Sequence, residues 1–172
     1  MILFGLTITL SGCFISGKPL FAPENAELPL ADGTVLTAFA LDEQGHRKDE
    51  TPTRFVAKRK EHSYVFTPDG DAPLRAMFDD IGNDYFVAAE LGIEADVGPQ
   101  YGLVHKVGES WFVYMVTCSS FEDLIEGHKT LADFHITKSG SQCRFGAYDD
   151  VKNALMFLAS RSKPTTEFVV IK

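Results

Sequence analysis

The sequence lacks the composition that several classes of protein require. Its 172 residues include 16 basic and 24 acidic ones, a formal net charge of −8. A nucleic-acid backbone attracts a stripe of Lys and Arg, and since none is visible the charge argues against such a partner. The chain is 45% hydrophobic and 12% aromatic, which excludes a disordered tail or a collagen-like fibre. We therefore expect one domain with its own core.

The common signatures of catalytic and metal sites are also missing. The sequence has no G-x-S-x-G, no G-x-G-x-x-G, no phosphate-binding Walker A loop and no paired C-x-x-C or H-x-x-x-H spacing. We predict no catalytic residue, no metal site and no cofactor. We interpret the five histidines as solvated residues or as residues with structural hydrogen bonds. They are His46, His62, His105, His128 and His135.

The amino terminus is a short apolar stretch that carries no charge. Met1 to Gly12 read MILFGLTITLSG and lead to Cys13. A helix of that length spans about 18 Å, well short of a hydrocarbon core of about 30 Å. The stretch Leu10-Ser11-Gly12-Cys13 resembles the lipobox of bacterial lipoproteins, an apolar residue and two small ones before an obligatory cysteine. An apolar first strand with Cys13 merely buried is the alternative interpretation.

The resemblance implies a cleaved signal peptide at residues 1–12 and a lipid on the Cys13 thiol that anchors the protein to a membrane. Residues 13–28, with Gly, two Pro and few periodic apolar residues, are predicted to be a flexible tether before a single domain at 29–172. Phe14, in place of Asp, resembles the sorting pattern of enterobacterial outer-membrane lipoproteins. We expect the cell envelope as the location, on the outer membrane facing the periplasm.

Two further cysteines remain once Cys13 is assigned to the lipid. Cys118 and Cys143 form an even pair, and in an exported protein an even pair predicts a disulfide. Two alternatives stay open, a pair of inert buried thiols and a nucleophilic Cys143 beside His128 or His135.

Short runs of alternating apolar and polar residues, separated by turn residues, predict an antiparallel β-meander, either a sheet or an open barrel. The predicted strands are 34–41, 54–58, 63–67, 74–78, 85–91, 102–107 and 111–117. After Cys118 we predict a helix to Glu126, a strand at 134–137, a helix within 147–161 and a last strand at 167–171. The fold class is α+β with two C-terminal helices.

The expected location in the cell envelope and the absence of catalytic sequence signatures favour a non-enzymatic binding or accessory role there. The partner is an envelope protein or a small apolar molecule. An exposed apolar patch would indicate the protein, and a closed aromatic cavity the small molecule.

Two other functions stay open. One is an envelope hydrolase, with His105 or His135 beside a carboxylate such as Asp80 or Asp84. The other is a cytoplasmic protein of unknown role, in which Cys118 and Cys143 are free thiols.

Overall fold

A computed structural model of the chain describes residues 14–91 and 98–171. The predicted signal peptide and Cys13 lie outside the described residues. The strands are β1 (Phe14–Ile15), β2 (Thr34–Ala40), β3 (Thr53–Lys60), β4 (Ser63–Pro68), β5 (Leu74–Gly82), β6 (Tyr85–Leu91), β7 (Gln100–Val107), β8 (Ser110–Tyr114), β9 (Thr137–Ser139), β10 (Gln142–Arg144) and β11 (Thr166–Ile171). The helices are α1 (Cys118–Ile125) and α2 (Tyr148–Arg161), with 3-10 turns at Pro23–Asn25 and Leu131–Phe134.

Eight strands form a closed antiparallel barrel. β2 to β8 pair in sequence order, and β11 lies between β8 and β2. The predicted antiparallel meander is confirmed in part: the sequence left a sheet or an open barrel as alternatives, and the structure has a closed barrel. Closure follows because the last strand of the chain fills the gap that the meander leaves between its first and last strands.

Successive side chains of a strand point to opposite faces, so the barrel strands contribute side chains to two separate hydrophobic cores. The barrel interior holds the first core, which includes Leu36, Phe55, Tyr64, Phe66, Phe78, Phe86, Val104 and Trp111. The outer face of β5, β6 and β7 contributes Met77, Val87, Ala89, Tyr101 and Leu103 to the second core. The two helices cover that outer face.

The helical layer is joined by a disulfide between Cys118 and Cys143, whose Cα atoms are 5.3 Å apart. This confirms the predicted bridge and connects the first residue of α1 to β10. The cap of α1 is Thr117, whose hydroxyl accepts from the Ser120 amide at 3.1 Å. The predicted strand at 134–137 is instead the 3-10 turn that ends at Phe134, followed by β9.

Residues 14–28 lie against the barrel, which differs from the flexible tether predicted for 13–28. Phe14 is 1% exposed and pairs in parallel register with Cys143. The Ser16 amide donates to the Pro99 carbonyl at 3.2 Å. A side chain on Gly98 would overlap the Ser16 carbonyl oxygen, so glycine permits this close approach. Phe14 and Phe21 of this segment are buried in the outer core despite its turn-rich composition.

Candidate ligand cavity

The barrel interior contains a cavity of about 90 Å³. Its wall is almost entirely apolar, and five aromatic rings contribute to it: Phe55, Phe66, Phe78, Trp111 and Phe168. The ring centroids of Phe55 and Phe168 are 5.6 Å apart. An empty space with an apolar wall stays dry and accepts apolar molecules.

Small residues on neighbouring strands leave this space open. Ala76 on β5 and Ala88 on β6 line the cavity, and Ala88 lies opposite Phe78 in the strand register. On β7 the inward position is Gly102. Three adjacent strands thus present small side chains to the aromatic residues of the opposite wall, and the rings do not fill the interior.

Leu30 closes one end of the cavity. The Tyr64 hydroxyl donates to the Leu30 carbonyl at 2.6 Å and accepts from the Leu30 amide at 2.8 Å. Arg59 also donates to that carbonyl, from Nε at 3.0 Å and from Nη2 at 2.7 Å. Tyr64 is fully buried and Leu30 is 6% exposed. This network fixes the segment before β2 across the barrel end.

Met115 lies at the opposite end, between the cavity and a surface groove. It lines the cavity and also a groove of about 590 Å³. Four charged residues line the groove: Asp42, Glu43, Arg161 and Lys163. Methionine is unbranched and adapts its conformation readily. Met115 is therefore the side chain that the groove and the cavity share.

Two polar residues at this end of the barrel were missed by the sequence analysis. Glu90 is the last inward residue of β6 (Tyr85–Leu91), on the face that carries Phe86 and Ala88. Gln100 begins β7 directly opposite Glu90. Burial raises the pKa of Glu90 to about 7. The available signal was a glutamate at an inward position of the strand pattern.

Among the described residues, one of the two histidines of the hydrolase hypothesis lies within hydrogen-bond distance of a carboxylate, and that pair is on the surface. His105 stacks on the Tyr85 ring with centroids 4.0 Å apart, and the Asp80 carboxylate accepts from the Gly82 amide at 2.7 Å. His135 Nδ1 lies 2.8 Å from Asp150, but the His135 side chain is 77% exposed. The sulfur of Cys143 is in the disulfide, so it is not a nucleophilic thiol.

Three large apolar side chains are exposed in the described part of the chain. They are Val107, Met156 and Ile171, on β7, α2 and β11 respectively. A few exposed apolar residues are normal on a folded protein. In the described part of the chain, the apolar space that could take a ligand is inside the barrel.

Within residues 14–91 and 98–171, no cluster of three or more His, Cys, Asp or Glu has metal-binding geometry. None of the helices in these two ranges has both the length and the apolar character needed to cross a bilayer. No family model, curated protein or solved structure matches the chain.

Proposed function

We propose that this protein is a lipid-anchored protein of the bacterial cell envelope that holds a small apolar molecule inside its barrel without chemical conversion. The cavity of about 90 Å³ and its apolar, aromatic wall carry this proposal. Eight-stranded barrels are wide enough inside to be filled by side chains or to hold one small ligand. Here the interior is only partly filled.

The size of the cavity limits the ligand. Pockets for drug-sized molecules begin at about 300 Å³, and an engineered cavity of about 150 Å³ accepts benzene. The ligand is therefore a small apolar molecule or the apolar end of a longer one. In the second case the remainder extends past Met115 into the groove. Removal of apolar surface from water drives binding in both cases.

The disulfide supports the envelope as the location, because such bonds persist in oxidising compartments and are rare in the cytosol. The lipobox-like stretch that ends at Cys13 supports the anchor. Since Phe14 is buried in β1, a lipid on Cys13 is one residue from the folded domain. The domain then lies directly against the membrane surface.

Trp111 provides the assay for ligand binding, because it is the single tryptophan of the chain and lines the cavity. We expect its emission to change saturably when 1-hexanol is added, and calorimetry to show one site. Ala88→Leu adds three carbon atoms to the cavity wall and is expected to reduce the affinity at least tenfold. Ala132→Leu is the matched control, since Ala132 is exposed outside the barrel. Equal binding by both variants would place hexanol elsewhere and refute the proposed site.

The anchor is tested separately, by intact mass of the protein from its native membrane fraction. We expect a chain that begins at Cys13 and carries a diacylglyceryl group. Cys13→Ala is expected to keep the signal peptide and lose the lipid. An unprocessed, lipid-free wild-type chain would refute the anchor and leave the ligand site to stand on its own test.

A further inference from the structure

We propose that Glu90 and Gln100 form the polar end of the barrel site and select an apolar ligand that carries a hydrogen-bond donor, above all a primary ammonium group. This inference rests on the proposed ligand-binding function and specifies the chemical class of the ligand. No sequence motif singled out either residue.

Both side chains face the barrel interior. Phe86 and Ala88 belong to the interior core, while Val87 and Ala89 belong to the outer core. Side chains of a strand alternate between its faces, so Glu90 continues the inward series. The same alternation on β7 places Gln100 inward, two residues before Gly102. Because the two residues are paired across the strands, their Cβ atoms are about 5 Å apart.

Each of these side chains has a buried acceptor without a partner. Glu90 Oε2 and Gln100 Oε1 are shielded from solvent and receive no hydrogen bond from the described part of the protein. A buried polar atom that lacks a partner destabilises the fold. When Glu90 is ionised, both orphaned atoms are acceptors, and they lie on neighbouring strands. A ligand that supplies donors satisfies both of them, whereas a ligand carboxylate would add further acceptors.

The charge at this end favours a cation among the possible donors. Burial alone raises the pKa of Glu90 to about 7, with no charged neighbour among its causes. On the inner face, the adjacent positions of β5 are Leu74 and Ala76, and those of β7 are Gln100 and Gly102. None of these residues is charged. An ammonium group beside Glu90 would stabilise its ionised form, so amine binding is coupled to proton release from the carboxyl group.

The polar pair lies close to the proposed route into the cavity. A Cβ atom on Gly102 would be 3.2 Å from Met115 Cγ, so the methionine side chain lies over Gly102. Gln100 is the next inward residue of β7. A ligand that displaces Met115 therefore meets the two acceptors at the mouth of the apolar cavity, with its apolar part directed inward.

Three probes with the same six-carbon chain test the inference: n-hexylamine, 1-hexanol and hexanoate. We expect hexylamine to bind at least tenfold more tightly than hexanoate at pH 7.5, measured by Trp111 emission and calorimetry. Hexylamine affinity is expected to rise about tenfold between pH 5.5 and pH 8. Hexanol affinity is expected to change less than threefold over that range.

Glu90→Gln keeps the shape of the side chain and removes its charge. We expect this variant to bind hexylamine about tenfold more weakly, to lose the pH dependence and to keep its hexanol affinity within threefold. Glu126→Gln is the control, because Glu126 is an exposed carboxylate at the end of α1. It is expected to bind all three probes as the wild type does.

The outcomes separate this inference from the proposed function. If no probe changes the Trp111 emission or gives binding heat, the ligand-binding function itself fails. If hexanol binds with the expected sensitivity to Ala88→Leu but hexylamine shows no preference over hexanoate, only the polar selection is refuted. Unchanged hexylamine affinity in Glu90→Gln would also overturn the assignment of Glu90.

Discussion

Loss of the disulfide between Cys118 and Cys143 is expected to destabilise the fold strongly. The bond closes a loop with a sequence separation of 25. Loop-closure entropy then gives about 3.5 kcal/mol of stabilisation at 25 °C, acting on the unfolded chain. For a chain of this size, each kcal/mol corresponds to about 2–4 °C in Tm, so the expected decrease is about 7–14 °C.

The assay is urea unfolding followed by Trp111 emission, with and without a reductant. Reduced wild-type protein keeps both sulfur atoms, so its comparison with the oxidised form isolates the cross-link. The double variant Cys118→Ala/Cys143→Ala also loses packing, because both residues are 0% exposed. We expect it to be less stable than the reduced wild type by about 1–2 kcal/mol.

The position of the bond predicts that its reduction lowers stability without affecting ligand binding. It lies in the layer outside the barrel, so the affinity for 1-hexanol per folded molecule is expected to stay unchanged on reduction. A reduced protein within 1 kcal/mol of the oxidised one would refute the loop-closure argument. Two free thiols in the native protein would refute the bond itself.

Three further predictions concern buried polar groups. Glu90 has a folded-state pKa raised to about 7 from 4.5, so the stability of the wild type relative to Glu90→Gln is expected to fall as pH rises from 4.5 to above 7. The fall is about 1–2 kcal/mol after allowance for partial exposure, measured by urea unfolding at each pH. The pH dependence of stability at Glu167 has the opposite sign, since the hydrogen bond from Arg47 at 2.7 Å lowers the pKa of Glu167 below 4.5. Glu167→Gln is expected to lose about 1–2 kcal/mol at pH 7 but little once the pH falls well below 4.5, and a pH-independent loss would contradict this assignment. Tyr64→Phe removes the hydroxyl that bonds both backbone groups of Leu30, and a loss of about 1–3 kcal/mol is expected in thermal unfolding. A variant as stable as the wild type would show that this network does not hold the barrel end.

Local patterns in the sequence predicted most strands and both helices within a few residues. A short apolar run over Tyr85–Leu91, bounded by turn residues, predicts β6, because such a run is typical of a buried strand. The spacing of Val151, Ala154, Leu155 and Leu158 predicts α2, because the period of a helix places these four residues on one face. Neither pattern carries information about which strand lies next to which.

Those local sequence patterns did not predict most of the candidate site. The sequence indicated an aromatic cavity as one possibility but gave no reason to select Glu90 or Gln100. Their importance depends on facing each other across two strands at the end of an apolar cavity. Six of the residues between them lie outside the described chain, and only the strand register brings the pair together.

By itself the sequence determined the period of each element, the even cysteine pair and the low density of positive charge. These properties depend on residue type and on neighbours a few positions away. The tertiary structure decided that the barrel is closed, that Phe14 is buried and that an empty apolar space remains inside. Those features depend on contacts between distant segments, such as β11 with β2 and β1 with β10, where packing outweighs local preference.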